Sequence, residues 1–360
     1  MYSYPLPREL IAQHPSEKRG DDRMMVLHRK TCVLEHKRVC DLPDYLTDRD
    51  LVVVNDSKVF PARLVGRWAD SPGAVELLMV SPATDADSLD AARKSGGGYA
   101  LSWSCMVGSG RPSREGQTAV FGPEGELSAT LAEKLDGGMW RCDFRSREPL
   151  AALLDRFGRT PVPPYIHRDG TDEEERRDRL RYQTIYARET GSVAAPTAGL
   201  HFTQELFDAL DAKGVRRAAV TLHVGPGTFR PVKAEDIEDH RMDFERFSVP
   251  PETADAIAET RARGGRVLCV GSTTVRTLES VAAANGGKVV AGSGASDIFI
   301  RPPFDFAVTD MMLTNFHLPQ STLLMMVSAL AGRERILSAY ALAVRAGYRF
   351  FSYGDCMLID

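Results

Sequence analysis

An excess of basic charge is the first thing missing: 45 Lys and Arg stand against 49 Asp and Glu, for a net charge of −4. Indiscriminate nucleic-acid binding, which depends on neutralising phosphates, is thereby excluded, though a local basic groove is not. Cysteine is also sparse, with six in 360 residues. They stand at 32, 40, 105, 142, 269 and 356, with no C-x-x-C pair. That scatter argues against a disulfide frame or a zinc site and predicts reduced core thiols. The longest strongly apolar stretch, Leu323 to Ala331, is broken by Ser328 and is far shorter than a membrane span. The first twenty residues carry Pro5, Pro7, Arg8 and Glu9 and lack the apolar core of a secretory leader, so a cytoplasmic location is expected. No G-x-x-x-x-G-K-[ST], H-E-x-x-H or G-x-S-x-G occurs, and the glycines at 225–227 and 292–294 lack the third glycine of a dinucleotide fingerprint. P-loop enzymes, zinc proteases and α/β-hydrolases therefore drop out as first readings.

What is present is an ordinary globular composition, 43% hydrophobic and 26% charged, at a length that suggests about two domains. Arg23–His28, Val33–His36 and Leu51–Val54 read as strands, the last stopped by the turn-forming Asn55-Asp56-Ser57. Leu6–Ala12 reads as a short helix. From 62 to 147 the pattern changes to short β-like runs (ARLVGRW, AVELLMV, ALSWSCMV, TAVFG, MWRCDF) separated by Gly and Pro clusters, the rhythm of a small barrel or sandwich. After Glu148, helices and strands alternate. Helices are expected at Leu150–Arg156, Thr203–Lys213, Pro251–Arg263, Ser272–Ala284, Ser321–Ala331 and Glu334–Ala346. Strands are expected at Arg217–Val224, Arg266–Val270, Asp297–Ile300 and Tyr348–Tyr353. The charge-dense Asp172–Arg181 reads as a solvated helix face. The expected fold is an α/β domain with a mixed sheet, formed by 1–61 and 148–360 and interrupted by an inserted β-barrel at 62–147.

Polar clusters stand at the predicted strand ends, where α/β proteins build their sites. They comprise Asn55 to Lys58, GSVAAPTAGLHF with Thr197 and His201, TLHVGPGTFR with His223, Thr228 and Arg230, Gly271-Ser272-Thr273-Thr274, TNFHLP with Asn315 and His317, and the closing FFSYGD with Tyr353 and Asp355. Ser272 opens a helix directly after a strand, a place suited equally to an anion and to an ordinary cap. Arg276 and Glu279, three residues apart on that helix, share a face and are placed to pair. His240, Asp243 and Glu245 match no zinc spacing, so no metal site is expected.

The segments LVVVNDSKVFPARLVGR, PVPPYI, RYQTIYA, GSVAAPTAGLHFT, VTLHVGPGTFRPV, VGSTTVRTLES, TNFHLPQSTLLMMVSAL and YRFFSYGDCMLI occur in order along the chain. Together they resemble the S-adenosylmethionine:tRNA ribosyltransferase-isomerases of queuosine biosynthesis. The resemblance implies that S-adenosylmethionine serves as a consumed ribosyl donor, not as a resident cofactor. It implies a tRNA partner carrying 7-aminomethyl-7-deazaguanine at the wobble position, epoxyqueuosine as product, and adenine and methionine as leaving groups. A monomer without a metal is expected.

Two departures stand out. His240-Arg241-Met242-Asp243-Phe244-Glu245 has Asp243 where the family reads a second histidine, and Arg301-Pro302-Pro303 replaces a Pro-Gly turn.

For this chemistry, His201, His223 and His317 are the candidate bases, with intrinsic pKa values near neutrality. Asn55, Thr197, Thr228, Ser272 and Asn315 are candidates to orient the donor. Tyr353, Asp355 and Glu279 would face its sulfonium. Arg230 and Arg276 would grip either its carboxylate or a tRNA phosphate. Arg29, Lys30, Lys58 and Arg63 are expected to contact tRNA. The rival readings are an S-adenosylmethionine-dependent methyltransferase, against which the Leu51–Ser57 segment lacks a glycine-rich loop, and a non-enzymatic RNA-binding module.

Overall fold

The computed structural model describes residues 2–84, 89, 93–95, 98–229, 240 and 242–360. A nine-stranded mixed sheet organises the larger part of the chain. Its spatial order is Gly292–Ser296, Glu245–Val249, Arg216–Leu222, Leu51–Asn55, Val267–Val270, Met311–Asn315, Cys356–Ile359, Arg23–Leu27 and Leu34–Arg38. The four strands from Arg216–Leu222 to Met311–Asn315 run parallel, and the strands flanking that group pair with it antiparallel.

Both faces of this parallel core are covered, so its strands read as near-continuous apolar runs without polar alternation. Leu51, Val53, Val267, Cys269 and Met312 face the helices Pro251–Ala262, Ser272–Ala284, Thr322–Ala331 and Arg333–Arg345. Val52, Val54, Leu268, Val270 and Leu313 face the helix Gln204–Ala212 and the short turns Val39–Tyr45 and Thr197–His201. Thr203 caps the Gln204–Ala212 helix through the Leu206 amide at 3.2 Å. Among the described residues no helix is long and apolar enough to cross a membrane.

Six strands between Arg63 and Ser146 close into an antiparallel barrel, because Met139–Ser146 pairs with both Leu127–Lys134 and Gly98–Ser109. Leu150, Leu153 and Leu154 of the helix Leu150–Phe157 complete its core, and Gly158–Arg159 adds a short pairing to Arg63–Leu64.

The structure departs from sequence expectation in a few places. Leu127–Lys134 (LSATLAEK), not among the β-like runs read from the sequence, is a further barrel strand, with Leu127, Ala129 and Leu131 alternating into the core. Leu6–Ala12 yields only a 3-10 turn at Arg8–Leu10. Tyr348–Tyr353 is not a strand. Phe351 takes φ 73° and the chain turns, and the terminal strand is Cys356–Ile359. The strand expected at Asp297–Ile300 lies earlier, at Gly292–Ser296. Cys32 and Cys40 are exposed and not core residues, although all six thiols are free.

Candidate active site at the carboxyl edge of the sheet

The four parallel strands end at one edge, and the polar segments leave the sheet there. A cleft opens between those ends, walled by Ala195–Ala198, Val224, Gly271–Thr273, Thr314–His317, Leu323 and Phe351–Ser352. Ligand sites in α/β sheets form at such carboxyl edges. Among the described residues no Asp, Glu, Lys or Arg lines it.

A hydrogen-bonded chain runs to the wall of this cleft. Asp22, just before the Arg23–Leu27 strand, accepts from His201 Nδ1 at 2.8 Å, and the Asn315 amide nitrogen lies 3.1 Å from His201 Nε2. With Asn315 donating, Nε2 is the accepting nitrogen and the ring proton sits on Nδ1. Burial raises the Asp22 carboxyl, but His201, Ser16 and Arg349 outweigh it and hold the group below its usual range. The Asn315 side-chain oxygen is buried and has no partner.

The other two histidines differ from this one and from each other. His317 lines the cleft with Nε2 at 3.0 Å from the Thr314 hydroxyl, and complete burial drives its pKa down to about 3. It is therefore a neutral hydrogen-bonding group and a poor base. His223 stands beside Val224 but outside the cleft lining, against the Gly191 backbone, where a Cβ would come within 2.7 Å of the ring. Burial lowers its pKa, and its Nδ1 is without a partner.

Of the remaining residues singled out in the sequence, Thr197, Ser272 and Asn315 line the cleft. Asn55 does not: its amide clamps two strand ends, bonding both the Leu222 carbonyl and amide at 3.0 Å and the Ser57 amide at 3.1 Å. Glu279 is spent on the amides of Ala307, Val308 and Thr309, and so pins a loop. Arg276 pairs with Glu245, not with Glu279. Tyr353 donates to Asp178, itself held by Arg168, and Asp355 is saturated by Arg23 and the Arg349 amide. None of these side chains is free to face a sulfonium. The Thr228 side chain and Arg230 lie outside the described residues. The Asp243 carboxylate rests against Gly227, where a Cβ would lie 2.0 Å from its oxygen, while the His240 ring meets Phe299 edge to face. Among the described residues no group of three or more His, Cys, Asp or Glu is placed to hold a metal.

The basic candidates also separate. Lys58 is exposed and lines a second cleft, between the barrel-side helix residues Ala151 and Leu154 and Arg179, Tyr182 and Gln183. Arg63 pairs with Glu76 across two barrel strands at 2.7 Å. Arg29 and Lys30 follow Leu27, which aligns with Ile359 and hence with Met312, near the start of a parallel strand. They sit at the edge of the sheet away from the cleft, and the Arg29 guanidinium is bound to the Asp310 carbonyl. Sequence reasoning missed Asp22, because the His201 and Arg349 that set its role are 179 and 327 residues away. It also passed over Thr273 and Thr314 within motifs it had noticed.

The family model described as "Queuosine biosynthesis protein" matches residues 1–359. An S-adenosylmethionine:tRNA ribosyltransferase-isomerase of Trichlorobacter lovleyi is 48% identical, over 99% of this chain and 98% of its own. One of Anaeromyxobacter sp. is 49% identical, over 99% of this chain and 97% of its own. A solved S-adenosylmethionine tRNA ribosyltransferase from Thermotoga maritima is similar at 35% identity and a TM-score of 0.53, covering 100% of this chain and 99% of that one.

Proposed function

Because this chain belongs to the queuosine biosynthesis protein family, we propose that the cleft at the carboxyl edge is where it takes the ribosyl group from S-adenosylmethionine. The enzyme transfers and isomerises that group onto tRNA in the formation of queuosine. The acceptor in this reading is the aminomethyl nitrogen of 7-aminomethyl-7-deazaguanine at the wobble position. The product is epoxyqueuosine-tRNA, and adenine and methionine leave. The enzyme works as a cytoplasmic monomer, with the donor consumed and no resident cofactor.

The observation that carries the placement is the Asp22–His201–Asn315 chain, which ends on a buried, unpartnered oxygen at the cleft wall. The sulfonium acidifies the neighbouring ribose C5′ hydrogens, so a base is needed before adenine departs. Asp22 holds His201 in one tautomer and stabilises the imidazolium that forms when Nε2 takes a proton. A bound donor displaces the Asn315 amide from Nε2 and satisfies its free oxygen with a ribose hydroxyl or the adenine amine. His317 and Thr314 supply neutral hydrogen bonds that fix the sugar, and Phe351 and Phe316 are the aromatic side chains among the cleft's described lining that can face a cation.

Single-turnover adenine release with substrate tRNA tests the assignment. A base in position contributes about 10²–10⁴-fold, so His201→Gln should lose activity within that range while His223→Gln should retain most of it. Wild-type release by His201→Gln would remove His201 from the chemistry.

A further inference from the structure

The reading of the cleft as the donor site leaves one end of the donor without a partner. We propose that the N-terminus of the helix Ser272–Ala284, with the Thr273 hydroxyl, is the subsite for the donor's methionyl carboxylate. The inference rests on that reading and adds an orientation to it.

The helix is 13 residues long, begins at the cleft wall, and has no side-chain cap. The Gly271 amide is spent on the Leu313 carbonyl at 2.8 Å, and the first bond back into the helix comes from Val275 to Gly271. The amides of Ser272, Thr273 and Thr274 therefore stand at the open end, where the partial positive charge of the helix also concentrates.

Thr273 supplies the second, independent observation. It is 5% exposed, lines the cleft, and its hydroxyl has no partner. Its neighbours do not share that state. Thr274 Oγ1 donates to the Val270 carbonyl at 2.8 Å and Thr277 Oγ1 to the Thr273 carbonyl at 2.9 Å, the usual way a helical threonine satisfies itself. The Thr273 hydroxyl lies 3.7 Å from where a Cβ on Gly271 would stand, so it sits over the mouth of the helix. Gly271, at φ 85°, keeps a side chain out of that mouth. A buried hydroxyl without a partner costs free energy unless a ligand fills it.

The chemistry favours a lone carboxylate over a backbone phosphate. Among the described residues no Lys or Arg lines the cleft, as capture of a polyanion would require. A carboxylate on a donor that carries its own cation needs only hydrogen-bond donors, and amides plus one hydroxyl provide them. Arg276, on the same helix, is committed to Glu245 and the Ser296 carbonyl and cannot perform the task. Asn315 completes the orientation. Its free oxygen repels a carboxylate, so the donor lies with the methionyl end at Thr273 and its hydroxyl-bearing and amine-bearing end at Asn315.

The test compares equilibrium binding and steady-state kinetics of S-adenosylmethionine and decarboxylated S-adenosylmethionine, in the wild type, Thr273→Val and Leu323→Trp. Wild type should prefer the carboxylate-bearing donor by about tenfold or more, as one charge-assisted hydrogen bond allows. Thr273→Val should weaken S-adenosylmethionine binding several-fold, leave the decarboxylated donor unchanged, and raise KM with little change in kcat. Equal effects on both donors, or none on either, would overturn the subsite. Leu323→Trp narrows the cleft itself. If it weakens both donors while Thr273→Val discriminates neither, the cleft reading stands and the carboxylate subsite falls. If Leu323→Trp leaves donor binding intact in a protein that melts like the wild type, the cleft is not the donor site.

Discussion

The two edges of the central sheet are built on opposite principles. At the amino edge of the parallel strands, charges are paired into a lattice. Asp50 accepts from the Arg266 amide and guanidinium at 2.8 Å and from Thr47 at 2.9 Å, and Arg266 reaches on to Asp360 at 2.8 Å. His28 bridges Asp360 and Glu35 at 3.1 and 2.6 Å, and Asp310 joins Arg261 to the Val267 amide. At the carboxyl edge no charged side chain among the described residues lines the cleft, and Asn315 Oδ1 and Thr273 Oγ1 are buried there without partners. The amino edge commits its carboxylates to the fold, although the Arg29 and Arg216 Nε atoms are also buried without partners; the cleft edge leaves two uncharged polar atoms open. Unsatisfied buried groups are costly, and these two lie where the strand direction switches, the place where α/β sheets build sites.

The sharpest break between the edges should come from Asp22. Asp22→Asn keeps a similar shape but removes the charge that fixes the His201 tautomer. Adenine release should fall by about 10²-fold or more. A variant with an unaltered rate would reduce Asp22 to a structural tie for Arg349.

Asp50 is the counterpart at the far edge. Asp50→Ala leaves the Arg266 and Thr47 donors without their acceptor, and with the Arg266 side chain still open to solvent the loss should cost about 1–2 kcal/mol. Chemical denaturation should read that loss while single-turnover release stays near wild type. A rate loss larger than the stability loss explains would mean that the two edges are not separable.

The sequence exposed this polarity only in part. The strand–turn–helix alternation and the glycine-rich polar turns located the carboxyl edge, because apolar strands buried on both faces must stop where the chain turns. It pointed to Thr197, Ser272, Asn315 and His317, which line the cleft, and to His201, which is bonded to Asn315 at its wall. It could not show whether a polar side chain was free. Glu279 and Asn55 look as available as Asn315 along the chain, but three loop amides occupy one and two strand ends the other. That distinction is made by partners far away in sequence. The basic residues at 29–30 lie away from the cleft for a related reason: nearness to the first strands in sequence did not reveal that Arg23–Leu27 runs toward the opposite edge.

The edges should also respond to pH with opposite sign. His317, held neutral by burial with its pKa down to about 3, takes up protons more readily when unfolded, where its pKa is about 6.5. Its contribution to stability is full above that value and is lost as pH falls toward 3, so His317→Gln should flatten the acid limb of the stability profile. His28 is raised, chiefly by its hydrogen bond to Glu35 and further by Asp360. Its contribution is present below about 6.5 and is lost as pH rises through the folded value. His28→Gln should therefore destabilise the protein at pH 6 and change little at pH 9. Parallel profiles for the two variants would mean that neither histidine feels its edge as described.

The smallest expected effect concerns tRNA, and it decides which edge the nucleic acid approaches. Lys58 follows the carboxyl end of Leu51–Asn55 and lines the cleft beside the barrel, exposed and free to meet a phosphate. Arg29 is held by the Asp310 carbonyl at the far edge, with Lys30 next to it in the chain. A tRNA that presents its wobble base to the donor must lie over the edge where the donor binds. Each phosphate contact contributes about one unit to the slope of log affinity against log salt. Lys58→Glu should weaken tRNA binding several-fold at low salt and reduce that slope by about one unit, whereas the double variant Arg29→Glu/Lys30→Glu should leave both nearly unchanged. The reverse outcome would place the anticodon arm on the ion-pair lattice, too far from the cleft for the transfer to occur there, and the donor site would have to be sought elsewhere.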